Sequence, residues 1–481
     1  MILSKILAGL EYELIQGDLN TEIQSINYDS RGNLKDGLFI AIIGFRTDGH
    51  SFILNALANG AKAVIIEQDI PALPTGLTIV KLKSSRKALS LIAANFYENP
   101  TKKVKLIAIT GTNGKTSVSY IISSLLQSLG YKIGVIGTNG IRINDHLLED
   151  VNKTTPTTPE SLDIQHIINK MSLENVEIVI MEASSMALKL GRLDNCEIST
   201  GVFTNLSHEH LDDHGTFEDY KNSKKILFDL TSYGIINADD PYFEDFNRQS
   251  AKIISFGLDT KADLNGNNVK LLADSTELKI SYIDQVIQCS IPLPGRFNIY
   301  NTLAAIGACL SIGIDFGDII NKIKFIKPID GRTENIKNDR NLKIIIDYAH
   351  TPNALKNVME TLKAITIGRL ITVFGCGGNR DKEKRPKMGN IATQIADYVI
   401  LTNDNPRYED PKIIVNEIIN GITTENYKII LDRKEAINTA LEMAQEDDII
   451  LIAGKGSEEY QTVQGVNIPF SDKQTVLDYL K

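Results

Sequence analysis

The residues best suited to chemistry begin at Gly111. A strand-like apolar run, VKLIAIT, leads into Gly111-Thr112-Asn113-Gly114-Lys115-Thr116-Ser117, and an apolar-periodic segment, VSYIISSLL, follows. Glycines in such a turn let backbone N–H groups close on phosphate oxygens, and a helix N-terminus adds partial positive charge. Lys115 would then sit on the β- and γ-phosphates of ATP and Thr116 on Mg2+. The spacing departs from the full phosphate-loop pattern at its first glycine position, which is Ile109. An ordinary glycine-containing turn is the plain alternative. Strand, loop, Lys-Thr pair and helix together favour nucleotide.

Two further runs end in charged residues. EIVIMEAS closes on Glu182, where a buried carboxylate requires a cation or hydrogen-bond donors. Mg2+ on ATP would serve, although a glutamate capping the next helix is the plainer reading of that residue alone. FTNLSHEHLDDHGTFEDYKNSK holds His208, His210 and His214, three of the seven histidines, with Asp212 and Asp213. Their spacing matches no zinc signature, so a hard-cation site with one imidazole is expected rather than a catalytic zinc. A later group gathers polar residues at strand ends. These are Asp347 and His350, then Arg380, then Asp404-Asn405-Pro406-Arg407, then Gly454 and Glu458. Guanidinium for carboxylate and carboxylates for ammonium suit a zwitterionic ligand.

What must position these groups is a layered α/β fold. KAVIIEQ, VKLIAITG, KIGVIGTNG, EIVIMEAS, TGVFTNLS, KIIIDYAH, RLITVFGCGG, YVILTNDNP and DIILIAGKG read as strands alternating with helices. Several end in Gly, Asn or Ser, as at the carboxyl edge of a parallel sheet that opens on a ligand crevice. Residues 260–292 alternate like antiparallel strands and predict a small side sheet in the middle of the chain. The 481 residues allow about three domains. Breaks fall at Pro100 and around Pro328 and Gly331. Hydrophobic residues at 42% and charged residues at 23% support large cores without metal or disulfides. A net charge of −9 argues against nucleic acid, whose phosphates need basic patches. The four cysteines form no CxxC pair, which fits a reducing compartment. MILSKILAGLEYEL is interrupted by Glu11 and Glu13 and predicts an amphipathic first helix rather than a leader. No run is long enough to span a bilayer. A cytoplasmic protein without membrane insertion is expected.

Taken in order, these motifs resemble the Mur ligases of peptidoglycan synthesis. TGTNGKTS is shared with folylpolyglutamate ligases and marks only the superfamily. INYDSR, GLFIAIIGFRTDGH, TTPESLDIQ, MEASS, HLDDHGT, DYAHTPNAL, GCGGNRDKEKRPKMG, DNPRYEDP and GKGSEE are more specific and point to the branch that adds the third peptide residue. The resemblance implies a three-domain architecture: a UDP-sugar-binding domain over 1–98, a central phosphate-loop, parallel-sheet domain over 99–327, and a Rossmann-like amino-acid-binding domain over 328–481. It implies ATP as co-substrate, Mg2+ as cofactor, small-molecule partners and a monomer.

Carried over by position, Ser30, Thr157, Thr158, Ser184 and Arg192 look like contacts to the UDP-muramoyl-dipeptide. Gly111 through Ser117, with Asn301, Arg332 and Asp347, look like the ATP site. Thr116, Glu182, His210 and Lys224 look like the metal-binding set, with Lys224 carbamylated. Lys115, Lys224, Glu182 and His210 would carry catalysis. Arg380, Asp404 through Arg407, Gly454 and Glu458 look like the diaminopimelate pocket. Met186, Leu190 and Ser457 stand where many relatives have His, Gln and His. The implied reaction phosphorylates the γ-carboxylate of D-glutamate and then forms an amide. Competing readings are an L-lysine-adding or folylpolyglutamate-type ligase, and a phosphate-loop ATPase that drives a partner's conformational change.

Overall fold

The computed structural model describes the whole chain except residues 45–46, 71–72, 149–150, 152–154, 208, 210, 248–251, 273 and 341 and the side chains of 211 and 212. Three domains follow one another, each built on its own sheet. The first sheet runs Glu13–Gln16, Thr78–Lys81, Ala61–Ile66, Gly37–Ile40, Ser25–Asn27 across its width. The expected first helix is a single turn, Leu3–Ile6, with both end residues buried. Gly9 at φ +83 stops it, and the glutamate-containing stretch becomes the edge strand Glu13–Gln16 instead.

The central domain holds the phosphate-loop segment. Its parallel strands lie in the order Lys252–Gly257, Thr231–Asn237, Ile198–Phe203, Lys105–Thr110, Ile178–Glu182, Ile133–Gly137. Strand Lys105–Thr110 is covered on both faces. Ile107 and Ile109 pack with helices Lys115–Ser128 and Arg296–Ser311. Leu106 and Ala108 point the other way, towards helices Ser161–Leu173 and Phe217–Asp229. Two covered faces explain the unbroken apolar runs of these strands. Each fully buried isoleucine contributes about 1.5–3 kcal/mol.

Residues 260–292 do form antiparallel strands, Leu264–Leu271, Thr276–Tyr282 and Gln285–Ile291. They are not a separate side sheet. Leu264 pairs with Phe256, so they continue the central sheet, which reaches eleven strands among the described residues. The reason is burial: Leu264, Leu278, Ile280 and Ile291 share one core with helix Arg296–Ser311.

The last domain has parallel strands Lys343–Asp347, Ile449–Ala453, Leu370–Phe374, Tyr398–Leu401 and Tyr427–Ile429 in that spatial order. Helices Pro352–Ile365, Lys384–Ile395 and Pro411–Ile419 cover one face, and Arg433–Met443 with Asp472–Leu480 the other. Parallel pairing aligns the strand ends. Glu182 lies beside Ile109, Phe203 beside Thr110, Asp347 beside Ala453, and Phe374 beside Leu401. The loops that leave these ends from the two sheets meet in one cleft.

Candidate active site

The loop Gly111–Ser117 takes its shape from two glycines and a clamp. Gly111 is at φ +144 and a Cβ there would lie 1.9 Å from Thr204 Oγ1; Gly114 is at φ +89. Thr204 and Asn205, which follow strand Ile198–Phe203, donate to the carbonyl of Asn113 at 2.6 and 3.1 Å. Asn113 N–H donates back to Asn205 Oδ1 at 3.0 Å. Lys115 Nζ curls over the loop and donates to the carbonyls of Gly111 and Thr112 at 2.8 and 3.0 Å. Burial lowers its pKa, opposed by Glu182 and Glu209. Lys224 reaches the same Gly111 carbonyl at 3.0 Å from behind, over the ring of Tyr220. Burial first, and Lys115 second, push the Lys224 amine well below its ordinary pKa.

Glu182 is 1% exposed at its strand end. Its carboxylate accepts from Thr138 N–H at 3.1 Å and Thr138 Oγ1 at 2.9 Å. Thr157 adjoins through its hydroxyl, 3.3 Å from that of Thr138. Thr158 Oγ1 donates to the Glu182 carbonyl at 2.8 Å and accepts from Ser184 N–H at 3.0 Å. Ser184 caps the short helix Ser185–Lys189, and Arg192 donates to the Thr158 carbonyl at 2.9 Å while pairing with Glu160 at 2.6 Å. Thr158, Ser184 and Arg192 therefore form one knot beside Glu182.

A single cleft of about 720 Å³ joins the two sheets and carries both predicted groups. The central domain lines it with Asn113 through Ser117, Thr157, Glu182 and Asn301, and the last domain with Arg332, Asp347, Arg380, Asp404, Asn405, Arg407, Gly454 and Glu458. Arg332 reaches Thr116 Oγ1 at 3.4 Å and stacks on Tyr348, 4.3 Å from the ring centroid. Burial raises the pKa of Asp347, which accepts Thr333 and Ala349 N–H at 2.6 and 2.7 Å and so fixes the connection carrying Arg332.

At the far end, Asp404 Oδ1 accepts from Asn405 N–H at 2.7 Å, whereas its buried Oδ2 has no partner. Gly454, at φ +115, leaves room for that oxygen, since a Cβ would stand 2.7 Å away. Glu458 Oε2 is held by Asn405 Nδ2 at 2.9 Å and by the fully buried Lys455 at 2.8 Å. Arg407 donates to the Gly378 carbonyl at 2.7 Å, and Pro406 packs under Gly378. Arg380 is exposed at the rim.

Ser30 lies in the first domain, where its carbonyl accepts from Asn59, and does not line this cleft. His210 is outside the described residues, as is His208. His214 is 7% exposed, with its ring nitrogens turned to Ser185 and Asp219. Among the described residues no group of three or more His, Cys, Asp or Glu side chains could hold a metal. Thr116 and Glu182 are hard oxygen donors on the cleft wall, a donor chemistry that suits Mg2+.

Thr138, Glu209, Tyr348 and Lys455 carry no separate signal in the sequence. Lys455 sat in plain view between two glycines of GKG, but its burial depends on Asn405 and Glu458 closing over it. Phe297 and Tyr300 also line the cleft, one helical turn around Asn301, a neighbourhood that could have been read from GRFNIYN.

The chain matches the Mur ligase family, catalytic domain over 22–97, the Mur ligase middle domain over 109–309, and the Mur ligase, glutamate ligase domain over 331–456. It is 43% identical to UDP-N-acetylmuramoyl-L-alanyl-D-glutamate–2,6-diaminopimelate ligase 1 of Clostridium acetobutylicum, covering 100% of this chain and 99% of that one. It is 41% identical to ligase 2 of the same organism, covering 100% of both. A solved structure of a UDP-N-acetylmuramoyl-L-alanyl-D-glutamate–2,6-diaminopimelate ligase superposes with a TM-score of 0.71 at 32% identity, covering 100% of this chain and 98% of that one. No described helix is long and apolar enough to cross a membrane. The chain belongs to the Mur ligase family of ATP-dependent, amide-bond-forming ligases.

Proposed function

We propose that the protein joins diaminopimelate, in its meso form, to UDP-N-acetylmuramoyl-L-alanyl-D-glutamate, with ATP converted to ADP and phosphate, in peptidoglycan biosynthesis. One observation carries this reading. The phosphate loop shares its cleft with a pocket that offers Arg407 for a carboxylate and an unpartnered Asp404 oxygen for an ammonium group.

The γ-carboxylate of the D-glutamate attacks the γ-phosphate of ATP, the bond to ADP breaks, and an acyl-phosphate forms. The amine of diaminopimelate then attacks the acyl carbon, phosphate leaves, and the amine's proton is lost. Two anions meet in the first step, so preorganised positive charge lowers the barrier. Lys115, Arg332 and the loop N–H groups provide it from this chain. Asn301 and Asp347 hold the adenosine end, and closure of the cleft protects the acyl-phosphate from water.

Mg2+, held by Thr116, Glu182, His210 and Lys224, would supply further charge neutralisation at the phosphates. For that role Lys224 is carbamylated: its neutral amine adds CO2 and releases a proton, leaving a carboxylate. The depressed basicity of this buried amine supports the reading. Residues 1–98 hold the uridine end through Ser30, and 99–327 carry ATP and, through Thr157, Thr158, Ser184 and Arg192, the muramoyl-dipeptide. Residues 328–481 hold the amino acid through Arg380, Asp404, Asn405, Pro406, Arg407, Gly454 and Glu458. A cytoplasmic location and a monomer complete the reading.

The test is a competition between meso-diaminopimelate and L-lysine for the purified enzyme, read by mass spectrometry of the nucleotide product. Strong preference for diaminopimelate is expected. Equal incorporation would remove the specificity and leave the ligase.

A further inference from the structure

The pocket assigned above to the amino acid rests on a guanidinium that the substrate would not touch. Arg433 is the first residue of helix Arg433–Met443, and its side chain is 0% exposed. Nε and one terminal nitrogen grip the two oxygens of Asp472 at 2.8 and 2.7 Å. The same terminal nitrogen donates to the Ala453 carbonyl at 3.0 Å, and the other donates to the Asn403 carbonyl at 3.1 Å. Asn403 and Ala453 immediately precede Asp404 and Gly454.

The strands that end there, Tyr398–Leu401 and Ile449–Ala453, are not neighbours; Leu370–Phe374 runs between them. No ladder hydrogen bond joins them directly; the planar fork of Arg433 bonds both from below, while Asn405, Lys455 and Glu458 tie the loops beyond them. That spacing has little slack, since the Asp404 oxygen lies 2.7 Å from the Cβ position of Gly454. Asp472, which seats the fork, is also 0% exposed and opens the last helix, Asp472–Leu480. A doubly buried ion pair gives little net stability, because desolvation offsets most of its attraction. Its contribution here is geometric.

We propose that Arg433, seated by Asp472, is a positioning residue for amino-acid binding, fixing Asp404 against the Gly454–Glu458 turn and tying the last helix to the substrate pocket. The proposal rests on the diaminopimelate reading. A double substitution, Arg433→Met with Asp472→Leu, tests it by removing the fork while keeping net charge and approximate volume. The KM for diaminopimelate should rise about tenfold to a hundredfold, the scale of losing one charge-assisted contact to the Asp404 carboxylate. The KM values for ATP and the UDP-dipeptide, and kcat, should change by no more than about twofold.

Asp404→Asn, assayed in parallel, separates the two levels. If it raises the KM for diaminopimelate and the double variant does not, the role of Arg433 is overturned and the pocket stands. If neither changes that KM, both fall. A rise in all three KM values with a fall in kcat marks general loosening and also overturns the proposal. Should the double variant fail to fold, Arg433→Lys decides: it keeps the charge beside Asp472 but has no fork to span both carbonyls. It must show the same selective rise, and an unchanged KM for diaminopimelate overturns the proposal.

Discussion

Arg407 sits at φ +53, in the left-handed region, where a residue with a Cβ costs roughly 1–2 kcal/mol. The backbone is held there by Arg407 N–H donating to the Thr462 carbonyl at 3.0 Å and by Gln464 N–H donating to the Arg407 carbonyl at 2.6 Å. Glycine and alanine at this position separate strain from function. Arg407→Ala keeps the strain and loses the guanidinium; Arg407→Gly loses both. The lost hydrogen bond to the Gly378 carbonyl, 2.7 Å long, accounts for about 1–1.5 kcal/mol in each. Relief of strain offsets most of this in the glycine variant, less the added freedom of its unfolded chain. The glycine variant should therefore melt close to the parent, and the alanine variant should be about 1 kcal/mol less stable. Binding should follow the side chain alone. Loss of a guanidinium–carboxylate contact removes roughly 1.5–3 kcal/mol, or about 10- to 100-fold in affinity. Both variants should raise the KM for diaminopimelate by that factor and narrow the preference over L-lysine. The assay is ADP release with each amino acid, run beside thermal melts. An unchanged preference, or a KM that follows stability rather than the side chain, would refute the role of Arg407.

Four further outcomes are expected. Lys115→Ala should lower turnover well beyond the ~10²–10³-fold typical of losing one electrostatic donor; near-parental turnover would remove the phosphate-loop assignment. Lys224→Ala should be almost inactive and partly restored by a short carboxylic acid that fills the vacated space, and native mass spectrometry should find the carbamate on the parent. Gly454→Ala demands φ +115 of an L-residue and presses on Asp404, a strain of about 1–3 kcal/mol, so diaminopimelate binding should weaken more than ATP binding by calorimetry. In acid, Glu409 is held at a pKa of about 2, chiefly by Arg385, and Asp239 at about 2, where backbone N–H groups outweigh burial. Both pKa values are depressed, so the stabilisation is complete above the ordinary carboxylate range and is lost as pH falls towards 2. Glu409→Gln should flatten melting temperature against pH in that window, and a curve parallel to the parent's would contradict this.

The strands were legible because both sheets are covered on two faces, which leaves runs such as VKLIAIT and DIILIA almost free of polar residues. Their carboxyl ends announced the candidate site, since Glu182, Asp347 and Gly454 close or follow apolar runs directly and Asp404 follows one after Thr402 and Asn403. Alternation over residues 260–292 shows that strands pair, not what the first of them pairs with; Leu264 beside Phe256 is a tertiary fact. Apolar spacing near the N-terminus fits one helical turn as well as three, and Gly9 at φ +83 decides for one. Lys455, Arg433 and Arg385 escaped for a different reason. A charged residue in a helix or loop reads as solvated surface, and only the fold shows all three buried against carboxylates.

The most direct measurement is the substrate dependence of ADP release by the purified protein. An acyl-phosphate ligase consumes ATP at a sustained rate only when the UDP-dipeptide and diaminopimelate are both present, with one amide formed per ADP. Omitting either substrate should reduce release to background. Sustained ADP release with ATP alone, indifferent to both, would contradict the ligase and favour an ATPase that works on a partner.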